Sequence, residues 1–177
     1  MKGPMADYYT NFSFYLPLPD PAQKEHALNL AQIATVHRFE NEQLPADFPQ
    51  PLQDVLEEWN FELEEDGEDG LWVHSDSGGV DAVCAFIQHL LQKFNLPLRI
   101  GFEWSHDCSK PRTDAFGGGA ALISAQEIKI MSTGDWLVEQ TRHVFSPETH
   151  QCIRCGVHAD DDAVVNQPCI HSSNAPP

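Results

Sequence analysis

Apolar residues recur along this chain in two rhythms, and their alternation predicts the fold. The aromatic run Asn11-Phe12-Ser13-Phe14-Tyr15-Leu16, bounded by prolines, suits a first strand. Asp20-Pro21 then opens a helix, with Asp20 as cap and Pro21 at a position where its missing N–H costs nothing. Ala27, Leu30, Ile33 and Ala34 give that helix its apolar stripe. After the break at Pro45, Pro49 and Pro51, the spacing of Leu52, Val55, Leu56 and Trp59 predicts a short second helix. Phe61-Glu62-Leu63-Glu64 alternates apolar and polar, and Leu71-Trp72-Val73-His74 comes after the turn signals Asp66-Gly67 and Asp69-Gly70, which predicts a hairpin.

The clearest helix comes next. Val80, Val83, Cys84, Ile87, Leu91 and Phe94 fall at i, i+3, i+4, i+7, i+11 and i+14, with Asp76 or Ser77 as the expected cap and Asn95 and Pro97 as the stop. Leu98, Ile100, Phe102 and Trp104 share one face of a strand with period two. Ala120-Ala121-Leu122-Ile123-Ser124 predicts another strand, and a last short helix is expected at 135–140. The order β-α-(α)-β-β-α-β-β predicts an α+β fold, a ferredoxin-like split β-α-β sandwich with an extra helix and an edge strand. Residues 1–140 form the expected core domain. Residues 141–177 are expected to form a small metal-binding tail with a disordered C-terminus.

Charge changes the picture more than size does. Of 177 residues, 27 are Asp or Glu and only 10 are Lys or Arg, a formal charge of −17. From Glu40 to Asp69 there are twelve carboxylates and no lysine or arginine. A surface of this kind repels nucleic-acid phosphate and is expected to meet a basic protein surface, with Glu57, Glu58, Glu62, Glu64, Glu65, Asp66, Glu68 and Asp69 as contact residues. Trp59 and Phe61 lie inside the block, which favours docking over mere solubility. No apolar run is long enough to span a bilayer and no basic-then-apolar leader is present at the N-terminus, so a cytoplasmic location is expected. Met5 offers a second start.

The last quarter carries the clearest chemistry. His143, Cys152, Cys155-Gly156, Cys169 and His171 succeed one another in a tail with little apolar material. Two thiols separated by two residues grip a tetrahedral metal on one tight turn, and Gly156 supplies the positive φ that turns the backbone beneath it. Three thiolates and one imidazole favour zinc over cations that prefer oxygen. His143 is favoured over His171 as the fourth ligand, with His150 and His158 as outsiders. With every vertex filled by protein, the zinc is expected to be structural. An odd count of five cysteines fits one metal site in a reducing compartment better than a disulfide framework.

Other constellations carry less. His106 and Cys108 invite a base and nucleophile, but residues at i and i+2 of an extended chain share a face without being forced together. Gly117-Gly118-Gly119 precedes a strand and lacks the phosphate-loop lysine and serine, so a bulge or a close backbone crossing is expected. His74-Ser75-Asp76-Ser77-Gly78-Gly79 lacks the Gly-x-Ser-x-Gly pattern and reads as helix capping. An enzyme built on His74 and Asp76, or on His106 and Cys108, is the alternative to a binding protein. A zinc module touching nucleic acid through Arg142 and Arg154 is opposed by the net charge.

Phe102-Glu103-Trp104-Ser105-His106-Asp107-Cys108-Ser109-Lys110-Pro111-Arg112, followed by Phe116-Gly117-Gly118-Gly119-Ala120, resembles a set of uncharacterised proteins carried on bacterial plasmids, prophages and genomic islands. The resemblance runs from about Tyr9 through Trp136, and the zinc-type tail recurs with it. It implies no mechanism. It implies a small accessory protein, often directed against a host defence system, such as a nucleic-acid mimic of the anti-CRISPR or anti-restriction kind whose partner is a nucleic-acid-binding complex.

Overall fold

The structure is a computed structural model that describes residues 7–67, 69–110, 115–162 and 167–169. The chain divides into two compact units, Met1–Ser132 and Thr133–Pro177. The last helix therefore falls with the tail, whereas the sequence pattern put the boundary after residue 140.

The first unit is α+β, built on one six-stranded antiparallel sheet. Strands β1 (Tyr8–Pro17), β2 (Glu62–Glu65), β3 (Gly70–Ser75), β4 (Ile100–Cys108), β5 (Gly117–Ile123) and β6 (Ile128–Ser132) lie in the order β2-β3-β1-β4-β5-β6. β1 is central, with Tyr15 opposite Trp72 of β3 and Asn11 opposite Ser105 of β4. Alternation decides which face is buried. Phe12 and Leu16 of β1, Leu71 and Val73 of β3, Ile100, Phe102 and Trp104 of β4, and Ala121 and Ile123 of β5 all enter one core. Tyr9, Tyr15 and Trp72, on the other parity, are exposed.

Helices α1 (Pro21–Glu40) and α3 (Val80–Lys93) supply much of the rest of that core, together with Leu18, Phe48, Leu52, Leu56, Trp59 and Phe61. The Asp20 carboxylate accepts from the Ala22 N–H at 2.8 Å, and α1 ends on Asn41 in the left-handed region, φ 57°. Val83, Cys84, Ile87 and Leu91 of the α3 stripe are buried as its spacing predicts, Val80 and Phe94 at its ends are half-buried, and Ala82, Phe86 and Leu90 widen it.

Four local expectations need correction. The segment from Leu52 to Trp59 is not one helix. A single α-helical turn, α2 (Gln50–Gln53), is succeeded by a 3₁₀ turn at Leu56–Glu58, and Trp59 N–H bonds back to Leu56 at 3.1 Å. Tighter winding still carries Leu52, Leu56 and Trp59 into the core, so the apolar spacing survived while the helix did not. Secondly, α3 is not capped by Asp76 or Ser77. Two glycines intervene, and Gly79, φ 89°, is its N-cap with no side-chain bond. The hydroxyls serve the preceding turn instead: Ser75 Oγ accepts from Ser77 N–H, and Ser77 Oγ donates to the Asp76 carboxylate.

Thirdly, the three glycines lie within β5 rather than before it. At Gly119 a Cβ would collide with the Trp104 indole and with the Met131 carbonyl oxygen. This is the close backbone crossing expected of the triplet, and it lets the Trp104 ring lie over the strand. Finally, β6 was not anticipated. Ser124 Oγ accepts from Gln126 and Glu127 N–H at 3.3 and 3.1 Å and turns the chain back along β5.

Candidate metal centre

The second unit contains helix α4 (Thr133–Thr141), in which no residue is buried. Beyond α4 the chain folds into a knuckle. Phe145 and Cys152 form an antiparallel bridge, and Ile153 N–H bonds to Val144 at 2.8 Å. Gly156 N–H closes the turn onto Cys152 at 2.8 Å, and Cys152 N–H reaches Val157 at 2.7 Å. Gly156 has φ 78° with nothing near its missing Cβ, so the turn requires its conformation and not its small size. Cys169 N–H bonds to the Thr141 carbonyl, which brings the third thiol back to the end of α4.

These connections bring His143, Cys152, Cys155 and Cys169 together, with one ligand atom from each lying within 4.8 Å of all the others. Cys152 Sγ and Cys169 Sγ are 3.7 Å apart, and Cys155 Sγ and His143 Nδ1 are 3.3 Å apart. Zinc bonded tetrahedrally at about 2.3 Å to each sulfur would hold two thiolates about 3.8 Å apart, so the observed spacing is that of a tetrahedron's edge. Cys152 and Cys169 are buried, while His143 and Cys155 are half-buried. The donor set is compatible with zinc, and Nδ1 is the histidine atom that faces the sulfurs.

Electrostatics agree with the geometry. Burial opposes ionisation of Cys152, but N–H groups of Arg154, Cys155 and Val144 and the His143 side chain outweigh it and hold the thiol at about 5. Burial and the neighbouring Cys155 and Cys152 push Cys169 up to about 12. One thiolate thus discourages the next, and a dication at the centre is what would let all three carry charge. Arg154 adds outer support. Its guanidinium donates to the Gln140 and Arg142 carbonyls at and just beyond the last turn of α4, where a cation suits the helix dipole. That cation is therefore engaged, which removes one of the two arginines considered for nucleic acid. His150 and His158 are exposed and stack on each other at 6.2 Å, and His158 pairs with Asp160, so both stand outside the cluster. His171 lies outside the described residues.

Of the acidic residues singled out as contacts, Glu57, Glu58, Glu62, Glu64, Glu65, Asp66 and Asp69 are all exposed, and Glu68 lies outside the described residues. Trp59 and Phe61 are not part of that surface. They are 1% and 5% exposed and pack on Phe86 in the core, so they offer a partner nothing. On the exposed side of β2 and β3, Glu62, Glu64 and His74 converge within 4.8 Å, and the His74 ring stacks on Trp72 at 3.9 Å. The sequence signal for this was the Glu62-Leu63-Glu64 alternation set against a hairpin partner. Both glutamates are solvated, which argues against a fixed ligand set.

Neither catalytic pair is assembled. His106 Nδ1 lies 3.0 Å from Thr10 Oγ1, Cys108 is buried, and among the described residues no hydrogen bond joins the two. His74 and Asp76 both line a groove of about 1550 Å³ beside α1, but Asp76 is taken by Ser77, and His74 Nε2 stands 3.4 Å from the Glu64 carboxylate without a hydrogen bond. Cys84 is a core thiol, pushed up to about 12 by burial and Asp81. Among the described residues no helix is long and apolar enough to cross a membrane. No family model, curated protein or solved structure matches this chain.

Proposed function

We propose that this chain is a non-enzymatic acidic binding protein whose carboxylate-rich edge docks onto a basic protein surface, with a structural zinc holding its tail. The observation that carries the reading is the exposure of every described carboxylate from Glu57 to Asp69, three of them on the edge strand β2 and the others in the turns flanking it, in a chain of net charge −17. A basic groove that normally holds nucleic acid is the natural complement, so the target is a nucleic-acid-binding defence complex and the chain a mimic of anti-CRISPR or anti-restriction kind, carried by a mobile element in a bacterial cytoplasm. The strand order β2-β3-β1-β4, with α1 and α3 as crossovers, supports a ferredoxin-like split β-α-β core extended by β5 and β6.

The test is capture from lysate at low salt, with release by a salt step. Exposed charge pairs are screened over a Debye length of about 8 Å at physiological ionic strength, so recovery should fall steeply as salt rises. Reversing Glu62, Glu64, Glu65 and Glu68 to lysine should abolish capture; unchanged recovery sinks the docking reading. The groove holding His74 and Asp76 supports the second reading, a small enzyme. Turnover of a metabolite library that is lost in His74→Ala would favour it.

A further inference from the structure

The aromatic residues inside the acidic block, Trp59 and Phe61, are buried, yet the acidic face is not without rings. Strand register supplies them from β1 and β3. Tyr15 stands opposite Trp72, and Trp72 stands opposite Glu64 of β2. One step along, Ser13 stands opposite His74, and His74 opposite Glu62. All six therefore project from the sheet face turned away from the core. Tyr15 is 46% and Trp72 38% exposed, with Glu62 and Glu64 exposed beside them. β1, β2 and β3 contain no lysine or arginine.

Local contacts fix both rings and splay them. The Trp72 indole N–H donates to Ser13 Oγ at 2.8 Å, and the ring stacks on His74 at 3.9 Å. Tyr15 leans the opposite way along β1, over Gly70, where a Cβ would collide with its ring. Although their backbones are directly opposed, no ring contact joins Tyr15 and Trp72 among the described residues. His74 covers one face of Trp72, and the exposure of the indole is what that stack leaves.

We infer that Tyr15 and Trp72 are the seat for an arginine side chain of the basic partner, with Glu64 as its counter-ion. This rests on the docking reading above and names its point of contact. A guanidinium is planar, lies flat on an indole or phenol ring, and pairs its fork with a carboxylate. Glu64 flanks Trp72 and stands 3.4 Å from His74 Nε2 without a hydrogen bond, so its oxygens are available. Charge selects the occupant: two glutamates with no cation on these strands oppose an anion and oppose a second copy of a chain of −17. The rings select arginine over lysine, whose ammonium is compact and strongly hydrated. Carboxylates draw the partner from a distance, and a ring already held by Ser13 and His74 rewards the right side chain on contact.

The test is anisotropy titration of the full chain, zinc-loaded, with fluorescein-labelled oligoarginine and oligolysine of equal length, across a range of salt. Oligoarginine should bind more tightly. Trp72→Ala should weaken it by about fivefold, the size of an exposed cation–π contact, and Tyr15→Ala by less. Neither substitution alters a charge, so oligolysine binding and the salt dependence should not move. A readout in the wild-type chain covers the case in which Trp72→Ala folds poorly: the Trp72 indole N–H signal should shift with oligoarginine and stay in place with oligolysine. Salt-sensitive binding of both peptides that is equally tight and unmoved by Trp72→Ala overturns the inference and leaves the acidic docking reading standing. Binding of neither peptide overturns both.

Discussion

The two units keep their shape by different physics. In Met1–Ser132, some two dozen apolar side chains from both helices and the sheet close one core, with Trp59, Phe86, Leu71 and Ile87 at 1% exposure or less. In Thr133–Pro177 the only buried side chains among the described residues are Cys152 and Cys169. Apolar burial of about 25 cal/mol per Å² can hold the first unit and has almost nothing to act on in the second. What that unit has instead is a cluster of four donors, His143, Cys152, Cys155 and Cys169, within 4.8 Å of one another and compatible with zinc. One unit should therefore depend on packing and be indifferent to metal, and the other the reverse.

The largest effect should come from the thiols. Structural zinc in small modules contributes about 10–16 kcal/mol of apparent binding energy, which in a unit without a core is its folding energy. Cys152→Ser should therefore abolish zinc retention, read by elemental analysis, and unfold the tail while the core melts as before. The mirror experiment is Trp59→Ala, which removes the largest fully buried side chain. It should cost about 3–5 kcal/mol in chemical denaturation of the core and leave zinc content at one per chain.

Legibility differed in the same way. The clustering of Cys152, Cys155 and Cys169 with His143 was legible from spacing, because a metal restricts residue types and short intervals severely, while the rival His171 lies outside the described residues. Helices α1 and α3 and strands β1 to β5 were legible from periodicity. β6 was missed although Ile128-Lys129-Ile130 alternates, since the turn before it is made by a serine hydroxyl and not by a Gly or Asn signal. The cap of α3 misled because Asp76 and Ser77 fit the chemistry but sit before two glycines that the backbone requires. Trp59 and Phe61 misled because aromatic residues beside charges can face either way, and only the core settled it.

Two smaller effects sharpen the contrast. Gly119→Ala drives a Cβ into the Trp104 indole and Met131 backbone and should cost about 1–3 kcal/mol of core stability, seen as a shifted denaturation midpoint with metal content unchanged. The smallest concerns His26 and His89, whose rings lie 6.3 Å apart in the helical layer. Burial lowers both, with His26 and Lys93 adding to the effect on His89. Their folded forms resist protonation while the unfolded chain takes protons near pH 6.5, so the stability they contribute is present above that pH and is lost as pH falls below it. Replacing both with glutamine should flatten core stability between about pH 7 and 5, measured by urea denaturation at each pH. A slope unchanged by the double variant would remove these histidines from the account.

The dependence of one unit on metal and the independence of the other can be read in a single experiment: amide spectra of the full chain, isotopically labelled, before and after chelation of zinc. Signals from Ile153, Gly156 and Val157 should collapse to random-coil positions on chelation and return with one equivalent of zinc, while those of Val73, Ile87 and Phe102 stay in place. Tail signals that remain dispersed without metal would contradict the account at its centre, because nothing else buried among the described residues of that unit could be holding them.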